Sequence, residues 1–328
     1  MSKIAGTRQL ARCVKSTSLR VAWLTVGWCM LIALVQAFGW EDHQPLLIAL
    51  LGLLPIAMLP AYGALGVGVW QRQRALAALA AVLVLGHLLW TVPDLWPRGR
   101  DSGAGRSLRI YSHNVLYSNS RMSAAARTIQ SKAPDIVVLL ELSARNLPPL
   151  ERTLNSGRYP YQLVRPAVDG AFGFGIWSRA PLADMTETSV AGFPVGEVTV
   201  LDGMRPIRLY AIHIVGPVNH GALTPWRAEL AWLAGQVRDR GDERMILAGD
   251  FNATPQHRDF RRLLAAGVRD AHTAVGGWAP TWPRTWKWLP PVLRIDHVLV
   301  SPGIGVRDQR VVGTSGSDHA GLITDLTY

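Results

Sequence analysis

Cysteine is nearly absent from this 328-residue chain, and its two cysteines, Cys13 and Cys29, both lie near the start. The part of the sequence after residue 29 therefore contains neither a disulfide framework nor a cysteine-ligated metal site. Charged residues rather than an apolar stretch precede Cys13, which does not fit a lipidation signal. A C-terminal domain of about 220 residues buries enough core to fold without disulfides.

Charge is missing from three long stretches of the first hundred residues, and His87 is the only titratable group in the third stretch. A helix of about 20 apolar residues crosses a hydrocarbon core of about 30 Å. Pro55 and Pro60 would kink the second stretch without excluding it from a membrane. A cleaved signal peptide explains only the first stretch. The pattern predicts three transmembrane helices, at about 21–40, 45–70 and 75–96.

Basic residues are unevenly distributed around these stretches. Residues 1–20 carry five of them and the connection 71–74 carries two, whereas the connection 41–43 carries two acids. Because basic loops favour the cytoplasm, the N-terminal arm is predicted to be cytoplasmic. Three crossings then place everything after Trp96 outside, in a multi-pass protein of the cell membrane. Residues 97–107 are polar and rich in glycine, which predicts a linker.

Net charge is positive in both parts of the chain. Before Arg98 there are 7 Lys or Arg and 3 Asp or Glu, which leaves 27 and 20 of the chain's 34 and 23 for the remainder. Such an excess suits a polyanionic substrate or an anionic membrane surface, and it also keeps proteins soluble.

The C-terminal part is organised around residues 244–255, where an apolar run leads through Gly249 into Asp250 and Asn252. The run predicts a buried strand, and Pro255 prevents its continuation. Residues two apart in extended backbone lie on one face, so the carboxylate and the amide can together hold a water molecule and a phosphate oxygen. An Asx turn at a strand end is the alternative explanation.

Other polar residues also stand at strand ends. Glu141 interrupts an apolar run, where an ionised carboxylate is costly without a partner. A metal is one such partner; an exposed position or an ion pair with Arg145 is the alternative. His213 ends another apolar run, where a lone histidine is usually a core residue. The full set comprises Asn114, Glu141, His213, Asp250, Asn252, Asp296, Asp318 and His319.

Strand and helix patterns alternate through this part, which predicts an α/β domain. Trp and Pro crowd residues 280–291, which cannot form ordinary helix or strand. This stretch is interpreted as a loop that faces lipid, stacks on substrate or covers the core. The predicted strands are 108–116, 135–142, 172–179, 194–201, 205–214, 245–247, 294–300 and 322–326, and the predicted helices are 120–132, with Ser120 as a possible cap, 224–240 and 257–266.

In this order, the polar residues resemble the motifs of the endonuclease/exonuclease/phosphatase family, which includes DNase I-like nucleases. The resemblance covers about 108–328 and implies a two-sheet αββα sandwich with its site where the loops of both sheets converge. The matching motifs are Ser-His-Asn114, Leu-Leu-Glu141, Ala-Ile-His213, Gly-Asp250-Phe-Asn252-Ala, Arg-Ile-Asp296-His-Val and Ser-Asp318-His319.

The resemblance also implies hydrolysis of a phosphate ester or anhydride by direct attack of water. Mg²⁺, with Mn²⁺ as a second possibility, would bind Glu141 and Asp318, because hard cations prefer carboxylate oxygens. Asp250 would orient or deprotonate the water, and Asn114 and Asn252 would position it.

Two histidines complete the implied site. His319 would pair with Asp296 and stay protonated, and His213 would stabilise charge or act as general acid. A serine-protease-like relay of Ser317, Asp318 and His319 is excluded, because adjacent residues cannot form it.

The layout of three spans and an external enzyme is similar to a membrane-anchored actinobacterial group that includes the teicoplanin-resistance protein VanJ. This similarity implies a phosphorylated lipid substrate, such as undecaprenyl pyrophosphate of the cell-wall cycle. An anchored extracellular nuclease and a non-catalytic membrane-binding protein are the alternatives. The sequence names no protein partner.

Overall fold

The computed structural model describes residues 2–40, 44–101, 105–154, 157–203, 205–241, 243–285, 290–313 and 316–328, with the side chains of 2–12 left out. The chain forms two compact units, Met1–Pro93 and Asp94–Tyr328.

The first unit is helical throughout its secondary structure. Two of its helices contain segments long and apolar enough to cross a membrane, Cys13–Phe38 and Arg74–Leu95. The first helix already begins within the predicted basic arm. Its elements are α1 (Ser2–Phe38), α2 (Pro45–Gly52), α3 (Leu54–Ala57), α4 (Pro60–Trp70) and α5 (Arg74–Leu95).

The predicted second span is not one continuous helix. Pro55 and Pro60 each stand in the first turn of a new helix, and the axes of Pro45–Gly52 and Leu54–Trp70 differ by 71°. Proline lacks the N–H that a helix interior requires and clashes with the preceding turn, which explains the breaks. The described helices therefore provide two spans, or three if the bent pair is counted as one.

Apolar side chains of the first unit lie both inside and outside the helix cluster. Cys29, Ile32 and Leu54 are buried in its centre, whereas Leu24 and Leu89 are exposed. Helices that are apolar on all sides fit a lipid environment. His87 is buried in this unit, and its ring contacts the Tyr62 hydroxyl at 3.0 Å and the Pro55 carbonyl at 3.1 Å.

The second unit contains twelve described strands and five described helices. The strands are β1 (Ser107–Asn114), β2 (Ile136–Leu140), β3 (Tyr161–Arg165), β4 (Phe174–Ser178), β5 (Leu182–Val190), β6 (Phe193–Val200), β7 (Ile207–His213), β8 (Arg244–Asp250), β9 (Arg269–Asp270), β10 (Asp296–Val300), β11 (Gly305–Val312) and β12 (Gly321–Thr327). The helices are α6 (Met122–Lys132), α7 (Leu147–Leu154), α8 (His220–Asp239), α9 (Arg258–Ala265) and α10 (His272–Val275).

The strands form two mixed six-stranded sheets, in the orders β11-β12-β1-β2-β4-β3 and β5-β6-β7-β8-β10-β9. Alternate residues of both sheets, such as Ile110, Leu209 and Val298, form one core between them. Helices cover the outer faces: α6 and α7 contribute to a second core around Trp177, and α9 places Phe260 against His297. This arrangement is the predicted αββα sandwich.

The register of the central strands brings their polar ends together. In the first sheet, Asn114 is the last residue of β1 and pairs with Leu140, the residue before Glu141. In the second sheet, Asp250 pairs with His213 on one side and with Asp296 on the other.

Several predicted boundaries are wrong in detail. The helix predicted from Ser120 begins at Met122, and its N-cap position is Arg121, with no side-chain cap. Glu141 follows β2 rather than lying inside it, and its φ of 58° turns the chain out of the strand. The segment predicted as a linker contacts the second unit, since the Arg98 and Asp101 amides donate to the carbonyls of Thr273 and Val306, both at 2.8 Å.

Candidate active site

The first sheet contributes Asn114 and Glu141 to a shared cluster. Asn114 is buried, and its Nδ2 donates to Glu141 Oε1 at 2.8 Å and to Asp250 Oδ2 at 3.1 Å. The Tyr117 amide donates to the other oxygen of Glu141 at 2.9 Å. Burial raises the pKa of Glu141, against the effect of these two donors. One amide thus joins the carboxylates of the two sheets.

The second sheet contributes Asp250 and Asn252. The backbone amide of Asn252 donates to Asp250 Oδ1 at 2.9 Å, and its side-chain Nδ2 donates to the Ile214 carbonyl at 2.8 Å. Asn252 has a left-handed φ of 46°, so the backbone here is not the extended one from which the sequence placed both side chains on one face. The Asx turn that the sequence left as an alternative is present, and it fixes the Asp250 carboxylate.

His213 lies beside these two acids. Its Nε2 is 3.7 Å from Glu141 Oε1 and 4.0 Å from Asp250 Oδ2. The Phe172 ring lies against the imidazole with 5.1 Å between centroids. Burial lowers the pKa of His213, although the Asp250 charge opposes this. The ring is consequently a neutral group at pH 7 that can donate one hydrogen bond.

Asp296 and His319 form a buried pair, with Asp296 Oδ2 2.9 Å from His319 Nδ1. The other imidazole nitrogen lies 3.7 Å from Asp250 Oδ2. Burial acts to lower the pKa of His319, but the charges of Asp296 and Asp250 outweigh it and raise this pKa to about 10. His319 is therefore an imidazolium placed between two aspartates.

The pKa of Asp250 is also shifted. Burial raises it to about 6, although the positive charge of His319 acts in the opposite direction. For Asp296 the balance is reversed: burial acts to raise its pKa, but the charge and hydrogen bond of His319 lower it. Two neighbouring aspartates thus differ in basicity, and Asp250 is the one suited to accept a proton near neutral pH.

Asp318 completes the cluster from the loop before β12. The Trp282 indole donates to its Oδ2 at 3.1 Å, whereas its Oδ1 is buried without a hydrogen-bond partner among the described residues. Its charge contributes to the raised pKa of Glu141, so the two carboxylates interact. Glu141 and Asp318 together thus offer a set of carboxylate oxygens.

Two sets of groups could hold a metal ion. Asp250, Asp296 and His319 each present a ligand atom within 4.8 Å of the others. A protonated imidazole cannot ligate a metal, however, and the pKa of His319 is about 10. Glu141 and Asp318 offer carboxylate oxygens, one of them unpartnered, as hard cations require. The chemistry of the donors therefore favours the second set.

A second buried cluster was not predicted from the sequence. Asp270 Oδ2 accepts from His297 Nδ1 at 2.7 Å and from Arg294. The other nitrogen of His297 donates to the Ala253 carbonyl at 2.9 Å, in the loop that carries Asp250 and Asn252. One sequence feature could have pointed to this cluster: Arg294 and His297 flank Asp296 in a segment that is otherwise apolar.

Sequence comparison identifies the family of this sandwich. The sequence profile of the Endonuclease/Exonuclease/phosphatase family matches residues 111–319, which include the whole cluster of site residues. The chain belongs to this family. Its members are metal-dependent phosphoester hydrolases, and the chain is an enzyme of that class. Comparison with curated proteins gives no match.

Solved structures show the same fold. An endonuclease/exonuclease/phosphatase from Beutenbergia cavernae is 20% identical, with 68% of this chain and 72% of that chain covered and a TM-score of 0.55. Truncated TDP2 from Caenorhabditis elegans is 16% identical over 68% and 98% of the two chains, with a TM-score of 0.56. The 3′ phosphatase NExo from Neisseria, bound to product DNA hairpin, is 20% identical over 67% and 100%, with a TM-score of 0.55.

Proposed function

We propose that this phosphohydrolase is anchored in the cell membrane and acts outside it on a phosphorylated lipid, such as undecaprenyl pyrophosphate of the cell-wall cycle. One observation carries the proposal: the catalytic unit begins at Asp94, and the apolar helix α5, long enough to span a membrane, ends at Leu95. Tethering raises the effective concentration of an enzyme at the bilayer, which benefits an enzyme whose substrate stays there.

Asp250 is the proposed base. Its carboxylate is held by Asn114 and by the Asn252 amide, so only a small rotation is open to it. A pKa of about 6 leaves it mostly ionised at pH 7 and still basic enough to take a proton from water as the oxygen attacks phosphorus.

His319 and His213 are proposed to act on the phosphate. The His319 imidazolium, fixed by Asp296, stabilises negative charge on the phosphoryl oxygens. His213 donates a hydrogen bond from its neutral ring. When the negative charge of the bound substrate raises its pKa and it takes up a proton from solvent, it gives that proton to the leaving group as general acid. Asn114 lies between both sheets and orients a phosphoryl oxygen or the water.

Glu141 and Asp318 are the proposed ligands of a divalent cation, Mg²⁺ or Mn²⁺. When bound, such an ion supplies charge neutralisation and polarises a phosphoryl oxygen. Asn114 and the Tyr117 amide hold Glu141 in place, and Trp282 holds Asp318.

A membrane-anchored nuclease or phosphodiesterase is the second candidate. After position 97 the chain has 27 basic and 20 acidic residues, and a net positive charge suits binding of a nucleic acid. The structural similarity to a phosphatase bound to DNA also favours this candidate. A non-catalytic binding role would leave unexplained the two aspartates of different basicity around His319.

A substrate panel tests the proposal. The purified full-length chain in detergent micelles with Mg²⁺ should hydrolyse prenyl pyrophosphates, measured as release of inorganic phosphate, with a kcat/KM at least about tenfold above that for inositol phosphates. The same margin is expected over sphingomyelin, measured as release of phosphocholine, and over supercoiled plasmid DNA, measured as nicking. Efficient DNA cleavage that disappears in the Asp250→Ala variant would select the nuclease instead.

A topology reporter tests the location. Three crossings and the basic residues before the first span predict that a fusion after Tyr328 gives alkaline phosphatase activity and no green fluorescence. A fluorescent, phosphatase-negative fusion would place the site in the cytoplasm and remove external lipid pyrophosphates from its reach.

The similarity in layout to the group that includes VanJ extends the proposal to glycopeptide resistance. Expression of the chain in a sensitive actinobacterium should raise the inhibitory concentration of teicoplanin, and the Asp250→Asn variant should not. Equal resistance from the wild-type chain and the Asp250→Asn variant would show that the resistance does not depend on hydrolysis.

A further inference from the structure

A groove with an apolar lining lies beside the catalytic cluster. It has a volume of about 480 Å³, within the range of small-molecule sites, and Arg284 is its only charged lining residue among the described ones. None of the roles above uses it. Its other lining residues are Trp278, Ala279, Pro280, Pro290, Pro291 and Val311.

The segment 281–284 joins the lining of the groove to the catalytic cluster through hydrogen bonds. The Arg284 amide donates to the Asp318 carbonyl at 2.8 Å, and the Trp282 indole donates to the Asp318 carboxylate at 3.1 Å. The Thr281 carbonyl accepts from the Ala320 amide, next to His319. A molecule whose phosphate lies at Asp318 and His319 therefore has an apolar surface within reach on the far side of this segment.

The other end of the groove adjoins the start of the second unit. The Gly277 amide donates to the Leu95 carbonyl at 2.7 Å, and Trp278, the next residue, is 52% exposed. Leu95 is also the last residue of α5. The residue that accepts from Gly277 within the second unit is thus also the residue at which an apolar helix long enough to span a membrane ends.

We propose that the groove binds the hydrocarbon chain of the substrate, an inference that rests on the proposed lipid phosphohydrolase function. The apolar lining contacts the first isoprenoid units, and the Arg284 guanidinium attracts the phosphate groups toward Asp318. Proline and tryptophan suit this task, because they offer rigid apolar surface with little side-chain entropy to lose on binding. Pro280, Pro290 and Pro291 of the Trp and Pro stretch thereby gain a role in selecting substrates by their tails, and residues 286–289 of that stretch lie outside the described residues.

Chain-length dependence provides the test. The wild-type enzyme should show a KM for a C15 prenyl pyrophosphate at least about tenfold below that for C5 isopentenyl pyrophosphate. Trp278→Ala removes apolar surface, and Ala279→Trp fills the groove. Each variant should raise the KM for the C15 substrate about tenfold, while kcat and the KM for the C5 substrate change less than twofold.

Met185→Ala provides the matched control, since Met185 is also half-exposed and apolar but lies on the edge strand β5 of the other sheet. It should leave both KM values unchanged. Unaltered C15 values in both groove variants would overturn the proposal, as would an equal rise for the C5 and C15 substrates.

A second measurement separates failure of the groove from failure of the function. A photoreactive prenyl monophosphate, irradiated with the enzyme in EDTA, should label the peptide that contains residues 278–284, and Ala279→Trp should reduce the labelling about tenfold. Labelling without hydrolysis of any prenyl pyrophosphate would retain the groove and reject the proposed function. Hydrolysis of prenyl pyrophosphates with labelling elsewhere would retain the proposed function and reject the groove.

Discussion

Asp296 and His297 are consecutive on β10, so their side chains lie on opposite faces of the sheet, and each belongs to a buried aspartate–histidine pair. We call Asp296 with His319 the site pair and Asp270 with His297 the support pair. The site pair faces Asp250, and Asp296 Oδ1 has no hydrogen-bond partner among the described residues. In the support pair, Asp270 also binds Arg294, and His297 also binds a backbone carbonyl.

The difference lies in charge balance. In the support pair, burial acts to raise the pKa of Asp270, but the charges of Arg294 and His297 hold it well below its usual range. At the site, two aspartates share one imidazolium, so a negative charge and an unused oxygen remain. The same residue pair therefore stabilises structure where its charge is compensated, and is available for chemistry where it is not.

Breaking the site pair should have the largest effect on turnover. His319→Ala removes the cation beside the phosphate, and Asp250→Asn removes the base. Each should lower kcat at least about a thousandfold while the circular dichroism spectrum at 25 °C stays close to wild type. Near-normal rates in either variant would refute the assignment of the site.

The second-largest effect is expected on metal affinity. Glu141→Gln keeps the side-chain shape and one oxygen but loses the charge that a divalent cation requires. We expect the Mn²⁺ concentration for half-maximal activity to rise about a hundredfold, and calorimetric Mn²⁺ binding to weaken in parallel. If Asp296→Asn weakens Mn²⁺ binding and Glu141→Gln does not, the ion belongs with Asp250 and Asp296 instead.

Breaking the support pair should reduce stability more than chemistry. His297→Phe leaves Asp270 and the Ala253 carbonyl each without one partner, which should cost about 2–4 kcal/mol in the free energy of unfolding. Turnover should fall only about tenfold, through displacement of the loop that carries Asp250. Asp308→Asn is the control: its ion pair with Arg100 is exposed, so a loss below about 1 kcal/mol is expected.

The smallest effect on turnover is expected for a buried acid outside both pairs, which should influence the pH dependence of stability instead. Glu229 on α8 is buried, its Oε1 accepts from the Val215 amide at 3.2 Å, and burial raises its pKa to about 8. The folded state therefore retains a proton that the unfolded state, with a pKa near 4.5, has already lost.

The contribution of Glu229 to stability is thus complete below about pH 4.5 and decreases as pH rises to about 8, by up to about 1.4 kcal/mol per pH unit. Glu229→Gln should remove this decrease in urea unfolding experiments between pH 5 and pH 8. An unchanged slope would show that Glu229 is ionised in the folded protein.

The strands show how much of the fold the sequence predicts. The eight strands predicted from apolar runs are the eight interior strands of the two sheets, whereas the four that were missed, β3, β5, β9 and β11, are the four edge strands. Interior strands are covered on both faces and paired on both sides, so their sequences are apolar. Edge strands pair on one side only, and β5 has mostly exposed or half-buried residues.

The site residues show the same limit. Polar side chains at the ends of apolar strands stand out because burial without a partner is costly, so the sequence alone predicted a site of eight such residues. It did not identify Asp270, which ends the two-residue edge strand β9, or the contact of His297 with Ala253, because neither follows from local spacing.

The sequence by itself determined the apolar segments, the interior strands, the polar residues at their ends and the family, because each of these is recorded in local patterns of burial and chemistry. Only the tertiary structure decided which carboxylates lie beside the positively charged His319 imidazolium. Burial raises the pKa of Asp250, and the charges of Asp296 and Asp250 raise the pKa of His319; the hydrogen-bond partners of these two residues lie 23 to 136 residues away in the chain. The groove beside Asp318 likewise exists only where the segments 278–284 and 290–291 and the strand β11 meet.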